Sequence, residues 1–178
     1  IGALSGRSVL ETLTILANVV FGQGPSGLGY MTAAAGAGAA AASIFKAVSR
    51  PQIPGEFQPQ ILAMPVIIPL LVAAFAMIGD FATAVAAVAL VGATVTLMSI
   101  SLQSTVQMEI EDQYRGRVMG LWTTISIGSG AAGAVLMGFL VDLVGVAPAQ
   151  LMIGLVLAAA SILVLLRFRR GLSRVDAR

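Results

Sequence analysis

The sequence predicts an all-α, polytopic helical membrane protein with six transmembrane helices. Of its 178 residues, 58% are hydrophobic and only 10% are charged, and the mean hydropathy is +0.97. Soluble domains carry about 25% charged residues, so this composition excludes an ordinary soluble fold. A helix that crosses the hydrocarbon core needs about 20 apolar residues. Four stretches without Asp, Glu, Lys or Arg meet that length: 57–79, 81–108, 118–141 and 143–166.

A fifth uncharged stretch, 12–45, is divided at 22–27, where Gly, Gln, Pro and Ser predict a turn. The first helix therefore covers about 1–21, and the second, which is rich in Gly and Ala, covers about 28–45. Three prolines in 46–60 predict a loop, because proline is not tolerated in a helix interior.

The other four helices are predicted at about 61–79, 82–107, 117–141 and 149–166. In the first of these, Pro65 suits the first turn, but Pro69 should bend the helix unless a neighbouring group satisfies the carbonyl that it frees. Pro148 suits the first turn of the last helix. Residues 167–178 hold five arginines and are predicted to form a basic cytoplasmic tail.

The positions of the basic residues support an alternating topology, because cytoplasmic loops of membrane proteins collect Lys and Arg. Nine of the ten basic residues lie in 46–60, in 108–117 or in the tail, which six alternating helices place on one side. The opposite loops, 22–27, 79–81 and 142–148, contain no Lys or Arg. We therefore expect a multi-pass protein of the cell inner membrane with a cytoplasmic C-terminus.

The sequence contains no Cys and no His, which excludes several kinds of chemistry. There can be no disulfide, no zinc site of the Cys/His type, no cysteine nucleophile and no histidine general base. We expect no enzymatic activity, no metal and no cofactor. Half of the basic residues lie in the tail, so the expected partner is the lipid bilayer and not nucleic acid.

One segment carries a specific signature. Residues 107–121 read Gln-Met-Glu-Ile-Glu-Asp-Gln-Tyr-Arg-Gly-Arg-Val-Met-Gly-Leu. This segment resembles the cytoplasmic loop between helices ten and eleven in the drug and siderophore exporter branch of the major facilitator superfamily, where an acidic turn precedes Arg-Gly-Arg-Val-Met. Residues 128–133 and 138–145 are similar to helix eleven of that branch and its end, and residues 24–30 and 36–38 to the start of its helix eight.

The resemblance implies that the six helices are helices seven to twelve, the C-terminal half of a twelve-helix transporter. It implies secondary active transport, namely proton-coupled efflux of small amphipathic, drug-like or siderophore-like molecules by alternating access. The expected partners are a small-molecule substrate and the N-terminal half of the same transporter. The alternative is a non-transporting helical membrane subunit, or a truncated half that needs a partner. In-frame continuation upstream with the same composition would distinguish the two.

Arg7 and Glu11 lie inside the first predicted helix, where charged side chains are costly and usually face a cavity or a partner. Spaced four residues apart, they share a helix face and can form an ion pair. The resemblance places this helix along the central cavity, so Glu11 is a candidate for proton coupling when substrate displaces Arg7. The alternative is a structural pair, or a pair near the membrane surface.

The fourth predicted helix carries two polar faces. Ser and Thr can satisfy their hydroxyls on the backbone of their own helix, so the face with Thr94, Ser101 and Thr105 is predicted to be structural. The other face contains glutamines and is our candidate for lining the transport path, the alternative being simple interhelical hydrogen bonding. Its members are Thr96, Ser99, Gln103 and Gln107.

Charged residues cluster between the fourth and fifth helices. Acidic side chains are favoured near a helix N-terminus, and the arginines that follow can pair with them. The resemblance implies a cytoplasmic gating network that favours one of two orientations of the transporter. The alternative is an ordinary basic loop with a helix cap at Asp112. The candidate residues are Glu109, Asp112, Arg115, Gly116 and Arg117.

Several glycines are expected to serve helix packing rather than chemistry. Gly116 and Gly120 form a GxxxG pair at the cytoplasmic end. Gly36 and Gly38 in the second helix, and Gly128, Gly130 and Gly133 in the fifth, give thin helix faces that allow close approach.

Overall fold

The computed structural model describes residue 13, residues 16–49 and residues 59–175, and all regular secondary structure there is helical. The predicted all-α class is therefore confirmed for these residues. A π-helical segment, Leu16–Val20, precedes five α-helices. The helices are α1 (Gly24–Val48), α2 (Pro59–Phe75), α3 (Phe81–Glu109), α4 (Asp112–Val144) and α5 (Val146–Val175).

Four of these helices are long and apolar enough to cross a membrane: α1, α3, α4 and the part of α5 from Val146 to Arg167. α2 has 17 residues, which at about 1.5 Å each is shorter than a hydrocarbon core of about 30 Å. Hydrogen bonds of 3.1 Å from Met77 to Ala74 and from Ile78 to Phe75 extend it by a tighter final turn. The first predicted helix lies largely outside the described residues, so six spans stay a prediction.

Several helix boundaries differ from the predicted ones. α1 starts at Gly24 instead of near 28, so most of the predicted turn 22–27 is helical. α4 starts at Asp112 instead of near 117, so most of the predicted loop 108–117 is helical. α5 continues to Val175, past the predicted end at 166. Arg and Glu are good helix formers, so charged residues alone do not end a helix. Between α4 and α5 only Gly145 is non-helical, at a φ of 88° that glycine adopts readily.

α1 and α3 approach each other so closely that their backbones touch. A Cβ atom at Gly38 would collide with the backbone carbonyl of Ala89, and one at Gly92 would collide with the carbonyl of Ala35. The prediction that Gly38 permits close helix approach is confirmed. Gly92 makes the same contact from the other helix, so each helix contributes one glycine to the crossing.

The other glycines that were expected to pack fall into two groups. Gly130 and Gly133 are buried, as expected. A Cβ atom at Gly36, Gly116, Gly120 or Gly128 would meet nothing within 4 Å, so within the described part of the chain no helix packs against these residues. Helix periodicity alone does not reveal which face of a small-residue run meets a neighbouring helix.

Two hydrophobic clusters hold the described helices together. The smaller one joins α4 to α5 through Met137, Ala149 and Ile153. The larger one joins α1, α2 and α3 to the chain around the π-helical segment. Its buried members are Leu13, Leu16, Ala17, Met31, Val72, Phe75, Ala84, Val88 and Val91.

α2 starts at Pro59, so the prediction that Pro65 lies in the first turn is wrong, and Pro65 and Pro69 are both internal. α5 compensates for Pro69. Pro69 has no N–H, so the carbonyl of Pro65 loses its usual helical partner. The hydroxyl of Ser161, which is 1% exposed, lies 2.7 Å from this carbonyl oxygen and 2.8 Å from the carbonyl oxygen of Leu157. The single hydroxyl proton is shared between the two acceptors. The carbonyl of Pro65 thus accepts a hydrogen bond from a neighbouring helix, as the position of Pro69 predicted.

Ser161→Ala should lower the stability of the purified protein by about 1 kcal/mol, because side-chain hydrogen bonds between membrane helices contribute about 0.6 and at most about 1.7 kcal/mol. The measurement is the unfolding midpoint in detergent. Pro69→Ala supplies an N–H for the Pro65 carbonyl, so the loss caused by Ser161→Ala should shrink in that background. An equal loss in both backgrounds would contradict the role given to Ser161.

Candidate functional site

A groove of about 590 Å³ opens between α1, α3 and Leu13. Its volume lies in the range of about 300–1,000 Å³ that is typical of sites for small molecules. The described residues that line it are small or apolar except for two threonines, and none of them is charged. They are Leu13, Leu28, Thr32, Ala35, Gly36, Ala39, Gly92, Val95 and Thr96.

The space in the groove comes from small residues on both helices. The contact between Gly92 and the carbonyl of Ala35 forms part of its wall, since both residues line it. Gly36 lies beside this contact, and a Cβ atom there would extend into open space. The same run of small residues therefore both joins the helices and leaves room next to the junction.

The structure separates the four residues that were predicted to line a transport path. Thr96 lines the groove, whereas Ser99, Gln103 and Gln107 do not. Ser99 and Gln107 are exposed, and Gln103 is half-buried. The amide nitrogen of Gln107 lies 3.8 Å from the sulfur of Met119, a weak contact between α3 and α4.

Thr94 and Thr105 fulfil the structural role predicted for the opposite face of α3. The Thr94 hydroxyl donates to the Leu90 carbonyl at 2.7 Å, and the Thr105 hydroxyl donates to the Ser101 carbonyl at 2.9 Å. Ser101 is buried on the same face. These hydroxyls are thus satisfied largely by the helix that carries them.

Sequence reasoning missed Thr32 and the apolar lining residues Leu28 and Val95. The sequence does place the Thr32 hydroxyl one helical turn before Gly36, within a run of small residues. This pattern identifies a groove only when the helix that packs against the run is known.

The charged cluster lies at the start of α4. The guanidinium of Arg115 lies 2.8 Å from the carboxylate of Asp112, and their side chains are 52% and 88% exposed. The amide of Gln113 donates to the carboxylate of Glu111 at 2.8 Å. An exposed pair of this kind contributes about 0.3–0.5 kcal/mol. The N-cap residue is Glu111, so the alternative of a cap at Asp112 is wrong.

Glu109, Gly116 and Arg117 complete this cluster, and all three are exposed. A Cβ atom at Gly116 would meet nothing within 4 Å. The cluster is therefore exposed, and it lies at the end of the helices where the basic residues are found.

Asp80 caps α3 at the opposite end. Its carboxylate accepts hydrogen bonds from the backbone N–H of Thr83 at 2.9 Å and from the Thr83 hydroxyl at 3.0 Å. These bonds, the backbone one first, hold the pKa of Asp80 below its usual value of 3.8. Because folding lowers the pKa of Asp80, its charged carboxylate stabilises α3 fully at pH values above the usual pKa of 3.8. This stabilisation is lost only as the pH falls through the lower pKa of the folded protein.

Comparison with known proteins identifies the family. The transmembrane secretion effector family matches residues 1–177 of the chain. The chain belongs to this family of major facilitator transporters. At a significant level it matches no curated protein and no solved structure. Membership in the transmembrane secretion effector family makes the chain a multi-pass membrane protein of transport or secretion and not an enzyme.

This family membership confirms the superfamily to which the motif at 107–121 pointed. It also implies a lipid bilayer around the helices and a small molecule as substrate. Arg7 and Glu11, the predicted proton-coupling pair of this secretion effector protein, lie outside the described residues. Leu13, which lines the groove, follows them in the same predicted helix.

Proposed function

We propose that the chain is the C-terminal half, helices seven to twelve, of an alternating-access transporter that exports small amphipathic molecules in exchange for protons. The observation that carries this proposal is the groove between α1, α3 and Leu13. Leu13 lines the groove and lies in the same predicted helix as Glu11, the acid that we expect to titrate. Binding of a substrate beside this helix can be linked to binding of a proton on it, which is the basis of exchange.

The surface of α4 supports a partner half in the membrane. α4 packs on the rest of the described chain mainly through α5, and large apolar side chains on it are exposed. The hydroxyls of Thr123 and Thr124 each donate to a carbonyl of α4 itself at 3.0 Å. Neither hydroxyl therefore needs water, which suits a surface that faces lipid or another helix. The exposed apolar residues are Leu121, Ile125, Ile127, Val135, Leu136, Phe139 and Leu143.

In this proposal the charged cluster at the start of α4 acts as a cytoplasmic gate. Asp112 and Arg115 are exposed, so their ion pair can be exchanged for contacts with the other half of the transporter when the two halves rock. Such an exchange shifts a two-state equilibrium without touching the substrate. Glu109, Gly116 and Arg117 belong to the same surface.

Gly36→Leu in the full-length transporter should reduce efflux to the background of cells without transporter, because the new side chain fills the groove. The fold should persist, since a Cβ atom at this position meets nothing within 4 Å. The measurement is efflux of a fluorescent amphipathic dye from energised cells, at matched amounts of membrane protein.

Gly29→Leu is the matched control. Gly29 lies in the same helix, is exposed, has no Cβ neighbour within 4 Å, and does not line the groove. Normal efflux by Gly29→Leu with loss of efflux by Gly36→Leu is expected. Normal efflux by both variants would remove the groove from the transport path.

The orientation of the helices is tested by cysteine labelling. Single cysteines at Ser49, Gln113 and Ser173 should be shielded from an impermeant thiol reagent in intact cells, whereas a cysteine at Ala147 should react. The chain itself has no native Cys to interfere. Labelling of Gln113→Cys from outside would contradict the proposed cytoplasmic position of the gate and the C-terminus.

A further inference from the structure

We propose that the groove between α1 and α3 binds an uncharged part of the ligand that carries a hydrogen-bonding group such as an amide carbonyl, in preference to a charged group. This inference rests on the proposed function, because it names the chemical class of substrate that the transporter accepts.

The lining of the groove supports an uncharged ligand. Among its described lining residues the only polar side chains are Thr32 and Thr96, and the others are aliphatic or glycine. Moving a charge from water into such surroundings is strongly unfavourable unless an opposite charge is present. The described lining offers none, so this part of the groove suits an uncharged group.

The two groove threonines differ from other threonines of the described helices in their hydrogen bonds. Thr94, Thr105, Thr123 and Thr124 each donate to a carbonyl four residues earlier. In the part of the chain that the structure describes, no hydrogen bond is found for the hydroxyl of Thr32 or of Thr96. Thr32 is exposed and Thr96 is half-buried, so both hydroxyls are accessible to a ligand and can donate to an acceptor that it carries.

The two hydroxyls also lie next to free space. Thr32 is one helical turn from Gly36 in α1, and Thr96 is one turn from Gly92 in α3. Leu28 and Val95 flank the two threonines with apolar surface. A ligand with a single amide between apolar groups can place the amide at the threonines and its apolar ends against these side chains.

The test measures binding by protection of a cysteine in the groove. Gly36→Cys is introduced into a cysteine-free full-length transporter, and its reaction with uncharged methyl methanethiosulfonate is timed with and without three compounds of matching shape. N-benzylbenzamide is uncharged and carries an amide, dibenzylamine is protonated near neutral pH, and 1,3-diphenylpropane has no hydrogen-bonding group. We expect the amide to protect at a concentration about tenfold lower than either of the others, the effect of about one hydrogen bond.

Substitution of the threonines completes the test. Thr32→Val with Thr96→Val should remove the tenfold advantage of the amide, whereas Thr32→Ser with Thr96→Ser should retain it. Equal or better protection by the amine would overturn the inference, as would an advantage unchanged by the valines or no protection by any compound. Protection by the amine at a lower concentration than the amide, together with proton-driven efflux that Gly36→Leu blocks, would leave the proposed function standing and this inference refuted. Protection by the amide without efflux of any compound would support this inference and contradict the proposed function.

Discussion

Gly38→Ala should destabilise the transporter by about 1–3 kcal/mol, the usual effect of overpacking, because its new methyl group would collide with the backbone carbonyl of Ala89. A backbone obstacle cannot rotate away as a side chain can, so α1 and α3 would have to separate. The measurement is the thermal unfolding midpoint of the purified full-length protein, together with its amount in the membrane. Gly92→Ala should behave in the same way, because its methyl group would meet the carbonyl of Ala35.

Gly36→Ala, two positions earlier in the same helix, is the control for Gly38→Ala. Its methyl group meets nothing within 4 Å, and alanine favours helix over glycine by about 1 kcal/mol. Its stability should therefore be unchanged or slightly raised. If Gly38→Ala and Gly36→Ala shifted the unfolding midpoint equally, the close crossing of α1 and α3 would be wrong.

Glu11→Gln should abolish proton-driven efflux while leaving exchange of substrate down its own gradient. Glutamine keeps the shape and hydrogen-bonding capacity of glutamate but cannot titrate, so it removes only the proton from the cycle. The measurement compares efflux driven by an imposed pH gradient with substrate exchange at equal pH on both sides. Loss of both activities with poor folding would instead indicate that Glu11 only neutralises Arg7. An unpaired buried charge of that kind costs about 3–5 kcal/mol in soluble cores.

The double variant Arg7→Gln with Glu11→Gln distinguishes these two roles. A structural ion pair predicts that removing both charges restores expression and transport together. A coupling role predicts that expression returns while proton-driven efflux does not. Efflux of the double variant at the level of the unchanged transporter would eliminate Glu11 as the coupling acid.

The helical class and most helix positions followed from the sequence, because long uncharged stretches are a sufficient condition for helices in a bilayer. Pro69 illustrates which contacts can be predicted from the sequence and which cannot. Its missing N–H predicted a donor from a neighbouring helix, and the structure supplies that donor as Ser161. The identity of the donor depended on the packing of α2 against α5, which local sequence does not encode.

The groove was less predictable for a related physical reason. Helix periodicity placed Thr96, Ser99, Gln103 and Gln107 on one face, but only Thr96 faces the groove beside α1. A polar face becomes a site only where a second helix encloses it, and enclosure here depends on the glycine contacts of Gly38 and Gly92. The charged segment at 108–117 was misread as a loop because Arg and Glu are good helix formers, so charge alone does not indicate a helix end.

The central claim, that substrate moves through the groove in exchange for protons, is tested most directly in liposomes containing the purified full-length transporter and an enclosed pH indicator. Addition of an amphipathic substrate on one side should move protons in the opposite direction, and this movement should be absent with Gly36→Leu and present with Gly29→Leu. Substrate flux with no accompanying proton movement, or proton movement unaffected by Gly36→Leu, would contradict the account.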